Sequence, residues 1–421
     1  MCLLPSYGKQ LTTLTTLLII VLLYMLMLSS LSSNNYVQCE NMLTGVFVGD
    51  AATMPVHWIY NQKELRDSIE SSSVLFHSPP ICPYYTYPKG TLSPYGDESI
   101  PLINSMVSDP SFVFTKPRAV QFMLDFFKKY QGRLSALPKD FLNTKGKSSS
   151  DDIQAHGIVK VPLIVARYYN SPEVYKKVHE MVSIMQVNVM PLRASCTLTY
   201  ILLHLLNDNS GRKNLDGVLQ ELMTKTTPSP EIDLKYISIA CDDELIIRVV
   251  NLRRKLMVLA NSVDESIDAR RVKKILNAVV KRFFEADGTL TATIEHVKND
   301  LNEDELDALN KAMTASMSSV ELSSKGKDVI STQEVLETFG LSCSLPSVFI
   351  GALYIARKYW YDLGEALKQN ALSGGDNCAR AMIIGGVIGA MKGTIIPQTL
   401  IEGMSTRVRD VVVKKTLEIC Q

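Results

Sequence analysis

The sequence predicts an all-α fold, a single large helical bundle preceded by an N-terminal hydrophobic segment. Apolar residues recur at helical spacing along the chain, as at Val120, Met123, Leu124 and Phe127. Beyond residue 40 the sequence has no alternating apolar and polar runs of convincing strand length. Of 421 residues, 46% are hydrophobic and 21% are charged, an ordinary globular composition that excludes general disorder.

The N-terminal segment carries no charged residue or histidine between Lys9 and Glu40. Its apolar run, residues 17–28, follows Lys9 and precedes small polar residues, which is the pattern of a signal peptide. Residues 11–31 are also long enough to span a bilayer as an uncleaved membrane anchor. We therefore predict entry into the secretory pathway, with residues 1–32 as a signal peptide or a signal anchor. The protein is then either secreted or membrane-anchored.

Residues 41–421 are predicted to form one helical domain. Thr115 and Pro117 mark the start of the helix that contains Val120. Four further stripes show helical spacing: Leu252, Leu256, Leu259 and Val263; Val272, Ile275, Leu276 and Val279; Ile294, Val297 and Leu301; Leu306, Leu309 and Met313. Three stretches, 74–97, 131–150 and 322–332, are predicted to be non-helical because they are polar or rich in proline.

Charge is nearly balanced, with 44 Lys and Arg against 43 Asp and Glu, which excludes a basic protein that coats nucleic acid. A local basic excess from Arg253 to Arg282 is interpreted as the solvated face of two helices. Docking to phosphate or to an anionic membrane is the alternative. The 8 cysteines show no framework spacing, so their pairing cannot be read from the sequence.

Two glycine-containing segments are candidates for the functional site. In the first, Gly45 and Gly49 allow a second helix to approach closely, and Asp50 needs a partner if it is buried. This segment continues into His57 and Trp58. The second segment, 374–377, has two glycines, Asp376 and Asn377 before an apolar helix predicted to be central. Amide groups at such a helix start can hold an anion or position a carboxylate-bound cation.

Two acidic segments are further candidates. Asp97 and Glu98 are adjacent carboxylates at the end of the proline- and tyrosine-rich stretch. Asp152 and His156 are four residues apart, which would put them on one face of a helix, where two side chains can share a ligand. For each segment the simpler interpretation is an exposed helix N-terminus with favourable acidic residues.

The order of these segments resembles the ADP-ribosylglycohydrolase/J1-crystallin family, and most closely its J1-crystallin-like branch. Residues 339–353, which precede the Gly-Gly-Asp motif, resemble that family too. The resemblance covers about residues 41–405 and is thin over 210–330. It implies an all-α bundle that holds two Mg²⁺ ions in a central cleft. It also implies hydrolysis of the glycosidic bond of ADP-ribose attached to proteins or small acceptors.

The resemblance carries over to the residues incompletely. The family's early Thr-Asp-Asp falls on residues 95–97, which leaves Asp97 with Glu98 beside it. The late Asp-x-Asp-Thr falls on residues 376–379, where the second ligand is Cys378 and the threonine is an alanine. A thiol is a poor ligand for Mg²⁺. The family's glutamate after Pro-Val is His57 here, and two aspartates replace its arginine-containing phosphate loop.

The resemblance implies a set of roles for these residues. The Mg²⁺ ligands are expected to be Asp97, Asp376 and Asp152, and the catalytic carboxylates Asp97 and Glu98. Residues expected to contact a ligand are His57, Trp58, Gly374, Gly375 and Asn377. The expected partner is a small-molecule or ADP-ribosylated ligand in the central cleft, with no nucleic acid, and with a membrane only through residues 11–31.

We weigh four hypotheses for the function. The first is a non-hydrolytic or altered relative with an incomplete dinuclear Mg²⁺ site. The alternative is a metal-dependent hydrolase that cleaves an ADP-ribosyl or related glycosidic bond, with its site rebuilt around Asp97, Glu98, Asp152 and Asp376. A narrower variant binds Zn²⁺ through His57, His156 and Cys378. The fourth is a membrane-tethered scaffold with an inert cleft.

Overall fold

The computed structural model describes residues 36–69, 73–109, 111–208, 214–260, 268–285, 296–314 and 330–420. The predicted signal segment 1–32, most of the stretch 322–332, and the predicted helical residues Val263 and Ile294 lie outside these ranges. Within the described ranges the regular structure is helical, and β pairing is limited to three isolated bridges. The all-α prediction is confirmed.

The α-helices span, in chain order, residues 36–53, Gln62–Ser68, Pro94–Asp97, Ser99–Val107, Lys116–Lys129, Ala136–Asn143, Val161–Tyr168, Val174–Val182, Val189–Leu206, Leu215–Thr224, Lys235–Cys241, Asp243–Ala260, Ala269–Glu285, Glu303–Thr314, Thr332–Phe339, Ser347–Lys358, Leu363–Leu372, Asn377–Gly389, Gln398–Gly403 and Lys414–Leu417. Short 3₁₀ turns cover Met54–Val56, Ile158–Lys160 and Glu418–Cys420, and a π-helical turn covers Arg407–Val413.

Two helices cross at the centre of the molecule, the N-terminal helix (residues 36–53) and the central helix (Asn377–Gly389). Every residue of the central helix is buried, as its apolar sequence predicts. A Cβ atom added to Gly45 would overlap the backbone carbonyl of Gly385, and one added to Gly49 would overlap that of Ala381. The predicted close approach at Gly45 and Gly49 is therefore confirmed, and its partner is the central helix.

Several predicted helices are confirmed. Thr115 is the N-cap of Lys116–Lys129, and the side chains of Met123 and Phe127 are buried there. The stripe Val272, Ile275, Leu276 and Val279 is buried within Ala269–Glu285. Together with Leu252, Leu256 and Leu309 it forms a small hydrophobic core of its own. This second core lies within the region 210–330, where the family resemblance is thin.

Two local predictions are wrong and a third is confirmed in part. Residues 131–150 contain the helix Ala136–Asn143, whereas residues 74–93 are non-helical as predicted and only the end of that stretch forms the short helix Pro94–Asp97. Both helices carry proline in their first turn, where its missing N–H costs nothing. Residues 151–157 are not helical. They are held in place by residues 343–345 instead, since the amide of Ala155 donates to the carbonyl of Cys343 at 3.0 Å and that of Leu345 to Ile153 at 2.9 Å.

The basic stretch from Arg253 to Arg282 is largely paired with carboxylates. Its ion pairs are Arg253 with Glu337, Arg254 with Glu334, Arg271 with Asp304, Lys274 with Glu305, and Arg282 with Asp300. These pairs support the interpretation of a solvated helical surface. These pairs reduce the positive charge that the described part of the stretch offers to the alternative, a phosphate or membrane docking site.

A disulfide bond joins Cys39 in the N-terminal helix to Cys420 in the last turn, with their Cα atoms 6.1 Å apart. It connects the two ends of the described chain. Among the described residues one helix is long and apolar enough to cross a membrane, Val189–Leu206, and 67% of it is buried within the structure. Such burial is typical of a core helix in a globular protein.

Candidate functional site

Asp376 lies at the centre of a hydrogen-bond network with His57, Tyr95 and Tyr85, which we call the central network. His57 Nε2 lies 3.1 Å from one carboxylate oxygen of Asp376, and the Tyr95 hydroxyl donates to the other at 2.7 Å. The second ring nitrogen of His57 lies 2.7 Å from the Tyr85 hydroxyl. The side chains of His57 and Asp376 are completely buried.

Backbone pairing brings His57 and Asp376 together. The amide of Trp58 donates to the carbonyl of Gly375 at 2.9 Å, and the amide of Gly375 donates to Ile59 at 2.7 Å. The backbone of Gly374 and Gly375 is left-handed, with φ of 71° and 66°. A Cβ atom on either would overlap a backbone carbonyl, of Ile59 or of Leu341, so glycine is required at both positions.

The backbone amides before the central helix are occupied by protein acceptors. Those of Gly374 and Asp376 donate to the carbonyls of Ala371 and Leu341 at 3.0 and 2.9 Å. The Asn377 side chain donates to the Val56 carbonyl at 3.0 Å. The predicted exposed donors of this loop are therefore engaged in positioning the chain. Ligand binding by Gly374 and Asn377 stays a prediction.

The protonation of the central network follows from its contacts. Burial raises the pKa of Asp376, but the hydrogen bonds from His57 and Tyr95 and the positive charge of Arg380 outweigh it and hold the pKa below its ordinary value. Burial lowers the pKa of His57. A neutral His57 then donates from Nε2 to an ionised Asp376 and accepts from Tyr85 at Nδ1. Each polar side-chain group of the central network therefore has a hydrogen-bond partner within the protein.

Residues 95–98 point in different directions because successive residues of a helix are about 100° apart. Tyr95 contacts Asp376, whereas Asp97 accepts a hydrogen bond from the Tyr130 hydroxyl at 2.7 Å. Glu98 lies 2.9 Å from His156 Nδ1 and 3.1 Å from Lys160 Nζ. The adjacent carboxylates Asp97 and Glu98 therefore do not converge on one ligand.

Asp50 occupies the space beside Gly96. Its carboxylate accepts from the Ser93 amide at 2.8 Å and from the Ser93 hydroxyl at 2.5 Å. Because Asp50 is completely buried, its pKa rises to about 7 despite these hydrogen bonds. A Cβ atom on Gly96 would overlap an Asp50 carboxylate oxygen. The partner that a buried Asp50 requires is thus Ser93, and no side chain fits at position 96.

Asp97 borders an open cavity of about 540 Å³, also lined by Tyr130 and Arg407. Burial raises the pKa of Asp97 to about 6. Asp152 lies elsewhere, where its carboxylate accepts from the backbone and side chain of Gln154 at 2.7 and 3.0 Å and from Gln186 at 3.2 Å. The loop conformation separates it from His156, contrary to the predicted shared helical face.

The predicted metal ligands do not come together. Among the described residues, no three side chains of His, Cys, Asp or Glu are placed to hold one metal ion. This applies to the Mg²⁺ ligands Asp97, Asp152 and Asp376 and to the Zn²⁺ variant, which uses His57, His156 and Cys378. The Cys378 thiol is buried, 3.6 Å from the Thr53 hydroxyl, and burial raises its pKa well above the ordinary value. As placed, the predicted ligands among the described residues form no metal centre.

Sequence reasoning missed several polar residues of this region. Arg380 is completely buried inside the central helix, donates to Asn370 at 2.8 Å and to the Gly374 carbonyl, and burial lowers its pKa to about 10. The resemblance places Tyr95 at the position of the family's threonine. It gives no sign of the contact with Asp376, which lies 281 residues away. Ser135 was assigned to a linker, yet its hydroxyl lies 3.3 Å from His156 Nε2. No local sequence signal indicates these contacts.

Comparisons with known proteins agree with the predicted resemblance. The ADP-ribosylglycohydrolase family model matches residues 257–419. Crystallin J1A of Tripedalia cystophora is 36% identical over 75 residues, which cover 18% of this chain and 23% of that protein. Crystallin J1B of the same organism is 35% identical over 75 residues, with the same shares. The match thus spans about a quarter of the length of these curated relatives.

A solved structure described as an ADP-ribosylglycohydrolase-related protein complex has the same fold. It superposes with a TM-score of 0.52 over 92% of this chain and 98% of that chain, at 11% sequence identity. At this identity the likeness concerns the fold alone. Together these findings agree with the resemblance that the motifs predict: the chain is similar to the ADP-ribosylglycohydrolase family model over residues 257–419 and to the J1 crystallins over 75 residues.

Proposed function

We propose that this protein does not cleave ADP-ribosyl bonds by the metal-dependent route and is a non-hydrolytic or altered relative of the family. One observation carries the proposal: both carboxylate oxygens of Asp376 already accept hydrogen bonds from protein groups, His57 and Tyr95. Mg²⁺ requires several free oxygen ligands in near-octahedral geometry. An ion at Asp376 would have to share a carboxylate whose two oxygens already accept hydrogen bonds from buried donors.

The surrounding carboxylates support the same proposal. Glu98 is neutralised by Lys160, and Asp97 is turned toward Tyr130. Gly96 supplies no side chain, and Asp50 fills the adjacent space. Among the described residues, no neighbouring carboxylate therefore completes a metal site around Asp376.

The second candidate is a hydrolase with a rebuilt site, and the placement of Asp50 is the observation that favours it. A carboxylate of the N-terminal helix stands next to the position from which the family's aspartate is missing. The hydrogen bonds of Asp50 argue against this candidate, because both of its carboxylate oxygens accept from Ser93. Asp50 would become a ligand only after these two hydrogen bonds were broken, at a cost of about 1.5–3 kcal/mol each.

A small-molecule or ADP-ribosylated ligand also belongs to this proposal. The cavity of about 540 Å³ bounded by Asp97, Tyr130 and Arg407 has the size of a small-molecule site. Its lining also includes the apolar residues Ile100 and Phe126. It lies to the side of the buried central network, so a ligand there would not contact Asp376.

The decisive experiment incubates the purified protein with an ADP-ribosylated protein, with and without Mg²⁺ or Mn²⁺. We expect no metal-dependent release of ADP-ribose and no rise in melting temperature on adding either ion. The D376N variant should behave like the parent in both assays. Release that requires Mg²⁺ and is lost in D376N would overturn the proposal and establish the second candidate.

We also propose that the protein enters the secretory pathway, secreted or anchored by residues 11–31. The Cys39–Cys420 disulfide supports this, because disulfides persist mainly in oxidising compartments. Expression in secreting cells, followed by N-terminal sequencing and non-reducing peptide mapping, tests it. We expect a disulfide-linked pair of peptides containing Cys39 and Cys420. An intact N-terminus in the cytosol with both thiols reduced would contradict it.

A further inference from the structure

Ser135 occupies a helix N-cap without capping the helix. It precedes Ala136–Asn143 in an extended conformation, and its side chain makes no capping hydrogen bond. An N-cap serine ordinarily accepts from the amide of the second or third helical residue. The third residue here is Pro138, which has no N–H. Ser135 is a partly exposed residue, and its hydroxyl lies 3.3 Å from His156 Nε2.

His156 is oriented from its other side by Glu98. Its Nδ1 atom lies 2.9 Å from a Glu98 carboxylate oxygen, and the two side chains are 2% and 3% exposed. With Nδ1 donating to Glu98, a neutral imidazole turns the lone pair of Nε2 toward Ser135. The ring of Tyr95 packs against His156 with centroids 5.0 Å apart and restricts its rotation.

Lys160 keeps the carboxylate of Glu98 ionised. Its Nζ atom lies 3.1 Å from the same carboxylate oxygen and donates to the His156 carbonyl at 2.7 Å. Burial raises the pKa of Glu98, but His156 and Lys160 outweigh it and hold the pKa below the ordinary value. An ionised, buried carboxylate is what fixes the tautomer of a catalytic histidine.

We propose that Ser135, His156 and Glu98 form a metal-independent acyl-transfer site that hydrolyses carboxylic esters. Ser135 is the nucleophile, His156 is the general base, and Glu98 is a positioning residue. This site adjoins the central network at Tyr95 but uses different residues, and the inference does not rest on the function proposed above. The arrangement of nucleophile, base and orienting acid is the recurring requirement of such catalysis on unrelated folds.

The helix after Ser135 supplies the remaining element. The first amides of an α-helix have no intrahelical acceptor and lie at the positive end of its dipole. Ala136 and Leu137 follow Ser135 as the first two helical residues, and we assign to their amides the stabilisation of negative charge on the attacked carbonyl oxygen.

The reaction proceeds in two balanced steps. Ser135 Oγ adds to the ester carbonyl while its proton passes to His156 Nε2, and the carbon–oxygen bond to the alcohol breaks as that alcohol takes the proton from His156. Water then adds to the acyl-serine while giving a proton to His156. The bond to Ser135 breaks, Ser135 regains the proton, and a carboxylic acid is released.

The test uses the full chain, a fluorophosphonate probe and p-nitrophenyl acetate. We expect the probe to modify Ser135, located by peptide mass spectrometry, and to abolish hydrolysis of the ester. Ser135→Ala should lose labelling and about 10³-fold or more in kcat/KM, and His156→Gln a similar amount. Thermal melting of each variant shows whether it is folded.

The matched controls are Ser331→Ala and His179→Gln. Ser331 is also a partly exposed N-cap serine, but its hydroxyl is engaged with Glu334 in a capping box. Both controls should keep labelling and hydrolysis. An unlabelled wild-type protein, a label at another residue, or undiminished hydrolysis by a folded Ser135→Ala variant would overturn the proposal.

Glu98 acts through His156, so its test separates positioning from stability. Glu98→Gln should lower kcat by about 10²-fold or more and leave KM within about twofold. If the variant instead lost active protein only in proportion to folded protein, and kcat per active molecule did not change, the role of Glu98 would be structural alone. That result would contradict its assignment as a positioning residue.

Discussion

The described residues include two buried histidine–carboxylate pairs, each with its imidazole ring near the ring of Tyr95, and the two pairs have different further partners. His57 is bonded to Asp376, and its second nitrogen meets the Tyr85 hydroxyl within an aromatic cluster. His156 is bonded to Glu98, and its second nitrogen meets Ser135, a partly exposed serine at the start of a helix. We call His57–Asp376 the closed pair, because buried protein groups hydrogen-bond to it at both ends. We call His156–Glu98 the open pair, because its histidine contacts the hydroxyl of a partly exposed serine.

This difference teaches that a histidine and a carboxylate in contact do not by themselves indicate a reactive site. The group on the far nitrogen of the histidine decides what the pair can do. The Tyr85 hydroxyl has a pKa raised well above its ordinary value by burial and acts as a donor that completes a network. A partly exposed serine hydroxyl can be reached by a substrate.

The largest effect is expected from restoring the family's acid between the two pairs. Gly96→Asp places a Cβ atom against the Asp50 carboxylate and a second acid beside it, so we expect a loss of about 3–5 kcal/mol in the free energy of unfolding. Urea denaturation measures it. The matched change Gly217→Asp meets no atom within 4 Å and should cost less than about 1 kcal/mol.

A pH series tests the environment of Asp50, next to the closed pair. Its pKa is about 7 in the folded protein against an ordinary 3.8, so the folded state keeps a proton that the unfolded chain has lost. This contribution to stability falls as pH rises from about 4 to about 7, by up to ~4 kcal/mol, and is constant above that range.

The variant Asp50→Asn should flatten this part of the stability profile when urea unfolding is repeated across the same pH range. The control Asp67→Asn changes an exposed carboxylate and should leave the profile unaltered. A profile of Asp50→Asn that runs parallel to the parent would show that Asp50 does not hold its proton in the folded state.

The two tyrosine hydroxyls that donate to the His57–Asp376 pair should contribute different amounts to the free energy of unfolding. Tyr95→Phe removes a hydrogen bond to the buried carboxylate of Asp376 and should cost about 2 kcal/mol. Tyr85→Phe removes a bond to a neutral imidazole and should cost about 1 kcal/mol. Chemical denaturation of both variants measures the order. A larger loss in Tyr85→Phe would mean that the charge resides on His57 and not on Asp376.

The smallest effect on stability is expected at the open pair. Ser135→Ala removes a hydroxyl that makes no cap and only a long 3.3 Å bond to His156, so it should change the unfolding free energy by about 0.5 kcal/mol. Ser331→Ala removes one half of a capping box and should cost about 1 kcal/mol. Denaturation curves of the two variants give the comparison, and equal losses would show that Ser135 supports the helix after all.

The frame of the fold could be predicted from the sequence, because helical periodicity and small residues act locally. Gly45 and Gly49 indicate a close helix crossing before its partner is known, and Thr115 marks a helix start. The site was harder to predict from the sequence. Asp97 and Glu98 are adjacent in the chain, but the short helix around them points their side chains in different directions. A helix of only 4 residues is too short for a periodic signal.

Other features depend on contacts between distant parts of the chain. Asp152 and His156 are spaced as on one face of a helix. Hydrogen bonds between residues 151–157 and residues 343–345 instead hold this segment in an irregular conformation. The burial of Arg380 within an apolar helix likewise depends on Asn370 and on the Gly374 carbonyl. Such tertiary contacts override local preference and leave no trace in a single sequence.

The bond between Cys39 and Cys420 gives the molecule an unusual response to load. Because it joins the first described helix to the last turn, tension applied at the two ends passes through one covalent link. The helices between them form a closed loop that carries none of that tension. While the bond is intact, pulling at the ends should leave the core and both histidine–carboxylate pairs undisturbed, and reduction should expose the whole fold to the applied force.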